Sequence, residues 1–364
     1  MNGCFEVAPL AHRPSIRILR TARLRACACK ATAALLLCCA AAGCATRPGE
    51  ILTANNSSPV WPSPPNDPRV VFLGQLATSD DLRPGISFFQ RMLAVVFGGR
   101  EGGALVSPQG VLLAPWQQLL VVDSEGRCIH RFGLTDRKYA RLPLQDIVQA
   151  PIGIAADAQG RLYVSDPPTS SVAVLDQEGK LLQRFVSERM LRPTGVAFSE
   201  KNSLLYVADT SGHRVLAFDT LGEVKLEFGE NGGHPGQFNY PTGLSVANGK
   251  IYVCDSFNFR IQIFDLAGKH IQSFGEEGNR PGNFSLPKAV AVDAAGRIWV
   301  LDSRFENIQV FDASGELLMA LGGEGSAPGR FWLPGAIFID ADSRIFVSDC
   351  YNRRIQVFQL FFEG

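Results

Sequence analysis

The chain has 364 residues, of which 46% are hydrophobic, and it contains 36 Gly and 22 Pro. This composition can fill a large core, and it favours many short strands joined by turns over long helices. The 35 basic and 35 acidic residues give a formal net charge of zero. That balance argues against a basic surface for phosphates or anionic membranes, so nucleic acid is a poor candidate partner.

The first 43 residues have the features of a secretory signal peptide. An Arg-rich region precedes an apolar run at residues 31–42, and Gly43 stands before Cys44. The run is shorter than the ~20 residues that a transmembrane helix needs. The sequence of residues 41–44 resembles the lipobox of bacterial lipoproteins, with Ala41 where that motif usually has Leu. The resemblance implies that Cys44 is acylated and becomes the mature N-terminus. The alternative is an ordinary signal peptide without a lipid.

Residues 44–68 are rich in Pro, Ser and Asn and lack apolar periodicity, which predicts a flexible tether. Ala45 stands where many lipoproteins retained at the inner membrane have Asp. The resemblance to lipoproteins therefore implies an extracytoplasmic protein that a lipid anchors to the outer membrane. Neither the side of the membrane that the domain faces nor its oligomeric state follows from the sequence.

Six of the nine Cys residues lie within the first 44 residues. The other three, Cys128, Cys254 and Cys350, have neither the spacing of a zinc site nor that of a disulfide framework. We expect these three side chains to be small, buried residues without a redox role.

An internal repeat predicts the fold. An apolar run ending in Asp recurs six times at intervals of 43 to 47 residues, at Asp123, Asp166, Asp209, Asp255, Asp302 and Asp349. A large apolar residue follows each Asp by nine residues, and a Pro precedes each Asp by 14 to 16 residues. Three landmarks that recur together six times indicate one structural unit repeated along the chain.

Each unit contains four runs typical of β-strands, which in the third unit are residues 195–198, 204–208, 214–218 and 224–228. A single four-stranded sheet of this kind would leave both of its faces in water. Six such sheets arranged radially bury their faces against one another. The sequence therefore predicts an all-β fold, a six-bladed β-propeller of four-stranded antiparallel blades that spans residues 69–360.

The last unit ends at residue 358 without a fourth strand. Residues 69–75, which precede the first complete unit, resemble the fourth strands of other units. We therefore predict that this N-terminal strand completes the last blade and closes the ring. Between it and the first unit, apolar residues at positions 86, 89, 93 and 97 predict a short helical insert near 84–98. That helix would either pack on the propeller or dock a partner or a lipid surface.

The best-matched units resemble the NHL-repeat family, whose units share Pro-x-Gly, an apolar run ending in Asp, and Asn-x-Arg before the third strand. Residues 255–264 and 349–358 carry this pattern, and residues 209–218 are close to it. Units one and two depart from it, because residues 124–127 and 167–171 lack the Asn-x-Arg step. The resemblance implies a six-bladed propeller but no particular activity, since fold does not determine function.

A carboxylate that recurs in every unit could bind a ligand, but a structural role is the expected one. We expect each repeated Asp to accept hydrogen bonds from turn amides or to pair with the Arg five residues later, as Asp209 with Arg214 and Asp255 with Arg260.

In the family, the turn after the second strand and the loops that join units share one face, which by resemblance is the binding face. Residues Phe238, Phe284 and Phe331 repeat in register and are expected to pack between blades. Other aromatic and Arg side chains on this face are candidate recognition residues. They are Trp332, Tyr351, Arg353, Tyr240, Arg280, Arg330, Phe257, Phe259 and His213.

Six-bladed relatives include calcium-dependent lactonases and a zinc-dependent lyase, so an enzyme must be considered. A metal needs three or more converging donors, and the inner strands begin with apolar runs such as residues 111–113 and 290–292. We therefore predict no metal and no cofactor. The main hypothesis is a membrane-anchored module that binds a protein, peptide or glycan. The alternative is a hydrolase or lyase, lactonase-like or streptogramin-lyase-like, with a loop or metal site.

Overall fold

The computed structural model describes residues 51–63, 65–67, 69–83 and 103–361. Its strands form six antiparallel sheets, one for each repeat unit. Blade 1 contains β3 (Pro108–Leu113), β4 (Gln118–Asp123), β5 (Cys128–Gly133) and β6 (Tyr139–Pro143). Blade 2 contains β7 (Ile154–Ala156), β8 (Leu162–Asp166), β9 (Ser171–Leu175) and β10 (Leu181–Val186). Blade 3 contains β11 (Pro193–Ser199), β12 (Leu204–Asp209), β13 (Arg214–Phe218) and β14 (Val224–Phe228).

Blade 4 contains β15 (Pro241–Ala247), β16 (Lys250–Asp255), β17 (Arg260–Asp265) and β18 (His270–Phe274). Blade 5 contains β19 (Pro287–Val292), β20 (Ile298–Asp302), β21 (Asn307–Phe311) and β22 (Leu317–Gly322). Blade 6 contains β23 (Ala336–Ile339), β24 (Arg344–Asp349), β25 (Arg354–Leu360) and β2 (Val70–Leu76), with the short strand β1 (Val60–Trp61) outside β2. Single 3₁₀ turns occupy Ser79–Leu82, Pro167–Thr169 and Ser256–Asn258. The predicted six-bladed propeller is confirmed.

The ring closes as the sequence predicts. Strand β2 pairs antiparallel with β25, in a register that joins Val70 to Leu360 and Leu76 to Ile355. The rings of Phe72 and Phe358 meet edge to face with their centroids 5.6 Å apart. Blade 6 therefore takes its fourth strand from the N-terminal side of the domain.

The core lies between adjacent blades. The second strand of each blade is buried at nearly every position, because neighbouring blades cover both faces of the sheet. Phe238, Phe284 and Phe331 are fully buried and pack against the last apolar residue of the third strand, as Phe238 does on Phe264 at 5.5 Å. Their predicted packing between blades is confirmed. Cys128, Cys254 and Cys350 are buried, also as predicted.

Part of the segment predicted as a tether, residues 44–68, lies against the propeller instead. Strand β1 pairs with β2, and the Trp61 ring meets Phe358 at 5.6 Å. Ile51 and Leu52 pack on the cluster between blades 6 and 1. These few apolar residues are spread among Pro and Ser, so they show no periodicity from which a strand could be predicted.

The predicted signal peptide at 1–43, the lipidation site Cys44 and the helical insert near 84–98 lie outside the described residues. Within the described ranges, no helix is long and apolar enough to cross a membrane.

Candidate functional site

The turns after the second strands and the loops between blades emerge on one side of the ring, which we call the loop face. The repeated Asp residues hold this face together. Asp123 accepts hydrogen bonds from the backbone amides of Val106 and Ser107, and Asp166 accepts them from Gln149 and Ala150. All six repeated Asp residues are fully buried. Their hydrogen bonds to backbone amides favour the structural interpretation over ligand binding.

Blades 4 and 6 add three side chains to this arrangement. Asp255 accepts hydrogen bonds from Asn258, Arg260 and Gln262 at 2.8 to 3.0 Å. The Arg260 guanidinium also donates to the carbonyls of Gly233, His234 and Gln237, in the preceding inter-blade loop. We call this group of four the loop anchor. In blade 6 the loop anchor consists of Asp349, Asn352, Arg354 and Gln356.

Arg214 and Asp209 were predicted to pair in the same way in blade 3. The Arg214 Nε lies 3.9 Å from Asp209, and the guanidinium makes its closer contact with Glu227 at 2.5 Å. The predicted pair is therefore short in blade 4, at 2.8 Å, and long in blade 3.

Blade 1 replaces the Arg and Gln of the loop anchor with Cys128 and His130. The His130 Nε2 lies 3.4 Å from Asp123, and its Nδ1 hydrogen-bonds the Tyr139 hydroxyl at 2.9 Å. Burial opposes charge on His130, but its hydrogen bonds to Asp123 and Cys128 outweigh burial and raise its pKa. Burial likewise opposes charge on Asp123, and hydrogen bonds from His130 and backbone amides lower its pKa.

A second set of side chains joins each of blades 3 to 6 to the next blade in the ring. In these blades the residue after the repeated Asp donates a hydrogen bond to the carbonyl of the Pro that opens the next blade. Thr210 and Ser256 make this bond at 2.7 Å, Ser303 makes it to Pro334, and the Cys350 thiol makes it to Pro108 at 2.8 Å. Burial raises the pKa of Cys350 to about 11, against the opposing effect of the nearby Lys288 ammonium.

Several candidate recognition residues form two aromatic groups on the loop face. The rings of Trp332 and Tyr351 lie 5.5 Å apart, and their side chains are 48% and 63% exposed. Tyr240 contacts His213 at 4.6 Å and Phe257 at 5.3 Å. The first group belongs to blade 6, and the second joins blades 3 and 4. Exposed aromatic groups of this kind are typical anchors of recognition surfaces.

The other candidates are placed differently. Phe259 is partly buried and packs on the cluster between blades 4 and 5, which favours a packing role. Arg280 and Arg330 are exposed in the loops that precede blades 5 and 6. Arg353 is exposed in the turn after Asp349.

Arg353 has a left-handed backbone conformation with φ 53°. Strain of this sort, on the order of 1–3 kcal/mol, can mark a functional site. However, the equivalent residue is left-handed in every blade, namely Arg127, Ser170, His213, Phe259, Glu306 and Arg353. The conformation is therefore a property of the repeated turn and carries no evidence for a site.

Beside Tyr351 the loop face opens into a cleft of about 750 Å³ across blades 5, 6 and 1. We call it the basic cleft, because Lys288, Arg304 and Arg353 line it and Glu125 is its single acidic residue. The rest of its wall consists of Val106, Ser107, Gln109, Leu286, Ser303, Leu333, Cys350 and Tyr351. The sequence pattern did not single out Lys288, whose only signal is its position directly after Pro287.

The basic cleft adjoins the central channel, since Gln109 and Lys288 line both. The channel encloses about 280 Å³, and its wall includes the apolar residues Val111, Val290 and Ile337 of the inner strands. Within the described ranges, no three His, Cys, Asp or Glu side chains converge as metal ligands would. The described wall of the channel contains none of the carboxylate or imidazole side chains that are typical ligands of calcium and zinc.

A family model for the NHL repeat matches residues 238–264. This stretch runs from the buried Phe238 through the loop anchor of blade 4 to Phe264, and its landmarks recur around the ring of six blades. The chain is an NHL-repeat β-propeller. The loop anchor of blades 4 and 6 is where this NHL-repeat protein carries the family pattern most completely.

Curated relatives share parts of this NHL-repeat propeller. Protein brain tumor of Drosophila melanogaster is 43% identical over 54 residues, which are 15% of this chain and 5% of that protein. NHL repeat-containing protein 2 of Gallus gallus is 29% identical over 192 residues, 40% of this chain and 26% of that protein. The chain thus spans about a quarter or less of the length of these two relatives.

Solved structures share the fold at low identity. A gluconolactonase of Xanthomonas campestris superimposes with a TM-score of 0.57 at 16% identity, covering 87% of this chain and 99% of that one. The virginiamycin B lyase of Staphylococcus aureus superimposes with a TM-score of 0.54 at 12% identity, covering 70% and 96%. At this identity the likeness concerns the fold alone.

Proposed function

We propose that this NHL-repeat propeller is an extracytoplasmic, lipid-anchored recognition module that binds a protein, peptide or glycan through its loop face. The observation that carries the proposal is the exposed pair of Trp332 and Tyr351 beside the basic cleft. Large aromatic side chains next to a concave, partly apolar wall are typical of recognition surfaces.

Recognition is favoured over catalysis by the chemistry of the loop face. The repeated carboxylates are buried and already accept hydrogen bonds from loop amides, so they are not available as acids or bases. The three Cys thiols are buried, and burial raises the pKa of Cys254 and Cys350, which disfavours the reactive thiolate. The lyase and lactonase neighbours support only the fold.

The anchoring part of the proposal rests on the lipobox-like sequence that ends at Cys44. We expect the wild-type protein to incorporate labelled palmitate and to sediment with membranes. Cys44→Ser should lose the label and appear in the soluble extracytoplasmic fraction. A membrane-bound, unlabelled wild-type protein would contradict lipid anchoring.

Recognition can be tested by mild crosslinking in the native cells, followed by affinity purification and mass spectrometry. The wild type is compared with a Trp332→Ala, Tyr351→Ala variant. The control is Leu221→Ala, which removes an exposed apolar side chain from a turn between third and fourth strands, on the opposite face. We expect a stoichiometric partner that the double variant loses and the control retains.

Two results would contradict the proposal. One is a partner that binds the aromatic variant and the wild type equally well. The other is hydrolase or lyase activity that requires stoichiometric calcium or zinc and disappears on chelation, which would establish the enzyme alternative.

A further inference from the structure

The basic cleft brings together cations from three parts of the sequence. Lys288 follows the Pro that opens blade 5, Arg304 lies in the turn after Asp302, and Arg353 lies in the turn after Asp349. Arg304 and Arg353 are exposed and Lys288 is half-buried. Three positive charges and one carboxylate, Glu125, leave the cleft with an excess of positive charge.

None of these three side chains forms an ion pair or a side-chain hydrogen bond with another residue of the described ranges. This contrasts with Arg260 and Arg354, which are fully engaged in the loop anchors. The three cations of the cleft therefore do not stabilise the fold. The whole chain has a net charge of zero, so the positive charge of the cleft is a local feature. Unpaired cations in a concave wall concentrate anionic ligands.

The chemistry of the remaining wall narrows the class of anion. Val106, Leu286 and Leu333 provide apolar surface between the cations, and Tyr351 provides an aromatic edge. Glu125 is the only carboxylate in this wall against three cations, so the charge of the cleft favours an anionic ligand over a neutral sugar. A segment that alternates carboxylates with apolar side chains matches both the charge and the apolar surface.

We propose that the basic cleft binds an acidic, partly apolar peptide segment of a partner protein, with Lys288, Arg304 and Arg353 contacting its carboxylates. This inference rests on the recognition function proposed above and specifies its ligand. Tyr351 and Trp332 would pack on the apolar side chains of that segment, next to the cations.

The test uses the purified full-length protein and a fluorescein-labelled peptide in which Glu alternates with Leu and Phe. Binding is measured by fluorescence polarisation. A second peptide has Gln in place of every Glu, and an unlabelled polygalacturonate provides an acidic glycan as competitor. The test variant is Lys288→Gln, Arg304→Gln, Arg353→Asn; Asn is used at 353 because it tolerates the left-handed backbone there.

A matched control removes three positive charges from the loop face outside the cleft. It combines Arg127→Asn, which has the same left-handed position in blade 1, with Arg189→Gln and Arg192→Gln, which are exposed in the loop before blade 3 and do not line the cleft. Thermal melting by circular dichroism verifies that both triple variants remain folded.

We expect the Glu peptide to bind the wild type and the control with similar affinity, and the Gln peptide to bind neither. The test variant should lose about tenfold in affinity, because each exposed ion pair contributes a few-fold. Raising NaCl from about 50 to about 500 mM should weaken wild-type binding, since exposed charges are screened.

Equal binding of both peptides, equal binding by both triple variants, or absence of binding to the wild type would overturn the proposal. So would binding of polygalacturonate, measured by isothermal titration calorimetry, to a wild type that does not bind the peptide, because the ligand would then be an acidic glycan. If a crosslinked partner is lost only in the Trp332→Ala, Tyr351→Ala variant, recognition stands and the acidic segment is wrong. If no variant changes any binding, both proposals fail.

Discussion

Blades 4 and 6 differ from blades 1 and 2 in how they hold the loops that enter them. In blades 4 and 6 a buried Asp and Gln, together with an Asn and an Arg, join the second strand to the inter-blade loop. In blade 2, Asp166 receives only two backbone amides and the Thr169 hydroxyl. Blade 1 uses Cys128 and His130 at the positions of Arg and Gln.

The loops that enter blades 4 and 6 are longer than the loop that enters blade 3, which also lacks the complete loop anchor. The loops before blades 4 and 6 run from residue 229 to 240 and from 323 to 335, and both are rich in Gly and Pro. The loop before blade 3 covers only residues 187–192. A long loop has many backbone carbonyls without strand partners, and an Arg with several donors can satisfy them. Loop length is not the whole cause, because the loop before blade 5, residues 275–286, is as long and Asn307 stands at the Arg position there.

The largest contrast is expected between Arg354 and Arg214, which occupy the same position in blades 6 and 3. Arg354→Ala removes a buried guanidinium that pairs with Asp349 at 2.7 Å and also binds Gln75 of the closing strand. It should lower the free energy of unfolding by about 3–5 kcal/mol. Arg214→Ala, at a partly exposed side chain, should cost about 1 kcal/mol. Unfolding in guanidinium chloride, followed by circular dichroism, measures the free energy of unfolding of both variants. Equal losses of stability would refute the contrast.

Gln262 gives a smaller effect within blade 4. Its side chain accepts a hydrogen bond from the Gly236 amide at 2.9 Å and donates to the Gln237 carbonyl at 2.6 Å. Gln262→Ala should cost about 2 kcal/mol, because the Gly236 amide loses its partner and the buried Asp255 carboxylate loses one of its donors. Hydrogen exchange should increase in residues 229–240. The exposed Gln183→Ala is the control and should leave both stability and exchange unchanged.

The landmarks that repeat along the sequence allowed the fold to be predicted. The Asp, Pro and apolar landmarks led to the strands, the six blades, the packing of Phe331 and the closing strand. Features present in a single blade were not predictable. Lys288 and Arg304 of blade 5 share one cleft with Arg353 only because blade 6 is adjacent to blade 5 in the ring. Trp61 stands among Pro and Ser residues, where no periodicity marks it as part of the domain.

His130 shows the same limit. It occupies in blade 1 the position that Gln262 occupies in blade 4, as superposition of the blades shows. With its pKa raised, His130 stabilises the fold fully below the ordinary imidazole pKa of 6.5, and this contribution disappears as pH rises through the folded-state pKa. With its pKa lowered, Asp123 contributes above the ordinary value of 3.8 and loses this as pH falls. The pair therefore contributes most between these two values.

We expect wild-type stability to fall by on the order of 1 kcal/mol between pH 6 and pH 9, the size of one charged hydrogen bond becoming neutral. His130→Gln introduces the side chain found at this position in blades 4 to 6, and the stability of this variant should stay constant over that pH range. Urea unfolding at each pH compares the two proteins. A variant that loses stability as steeply as the wild type would eliminate His130 as the cause.

The smallest effects concern the hydrogen bonds that join blades. Ser256→Ala removes a donor to the Pro287 carbonyl and should cost about 1 kcal/mol. Ser124→Ala is the matched control in blade 1, where the described residues provide no such bond, and its stability should be unchanged. Cys350→Ser should be close to neutral, because the hydroxyl can donate to Pro108 as the thiol does. Thermal melting resolves these differences, and equal losses at Ser256 and Ser124 would argue against the inter-blade bond.

The pairing of β2 with β25 also has a consequence for how the chain folds during synthesis. The two partners of this closing strand pair, residues 70–76 and 355–360, stand at opposite ends of the domain. As the ribosome extends the chain, blades 1 to 5 can form in succession, but blade 6 stays incomplete until its third strand has emerged. The propeller therefore becomes a closed ring only after residues 355–360, the last part of the domain to be synthesised, have emerged from the ribosome.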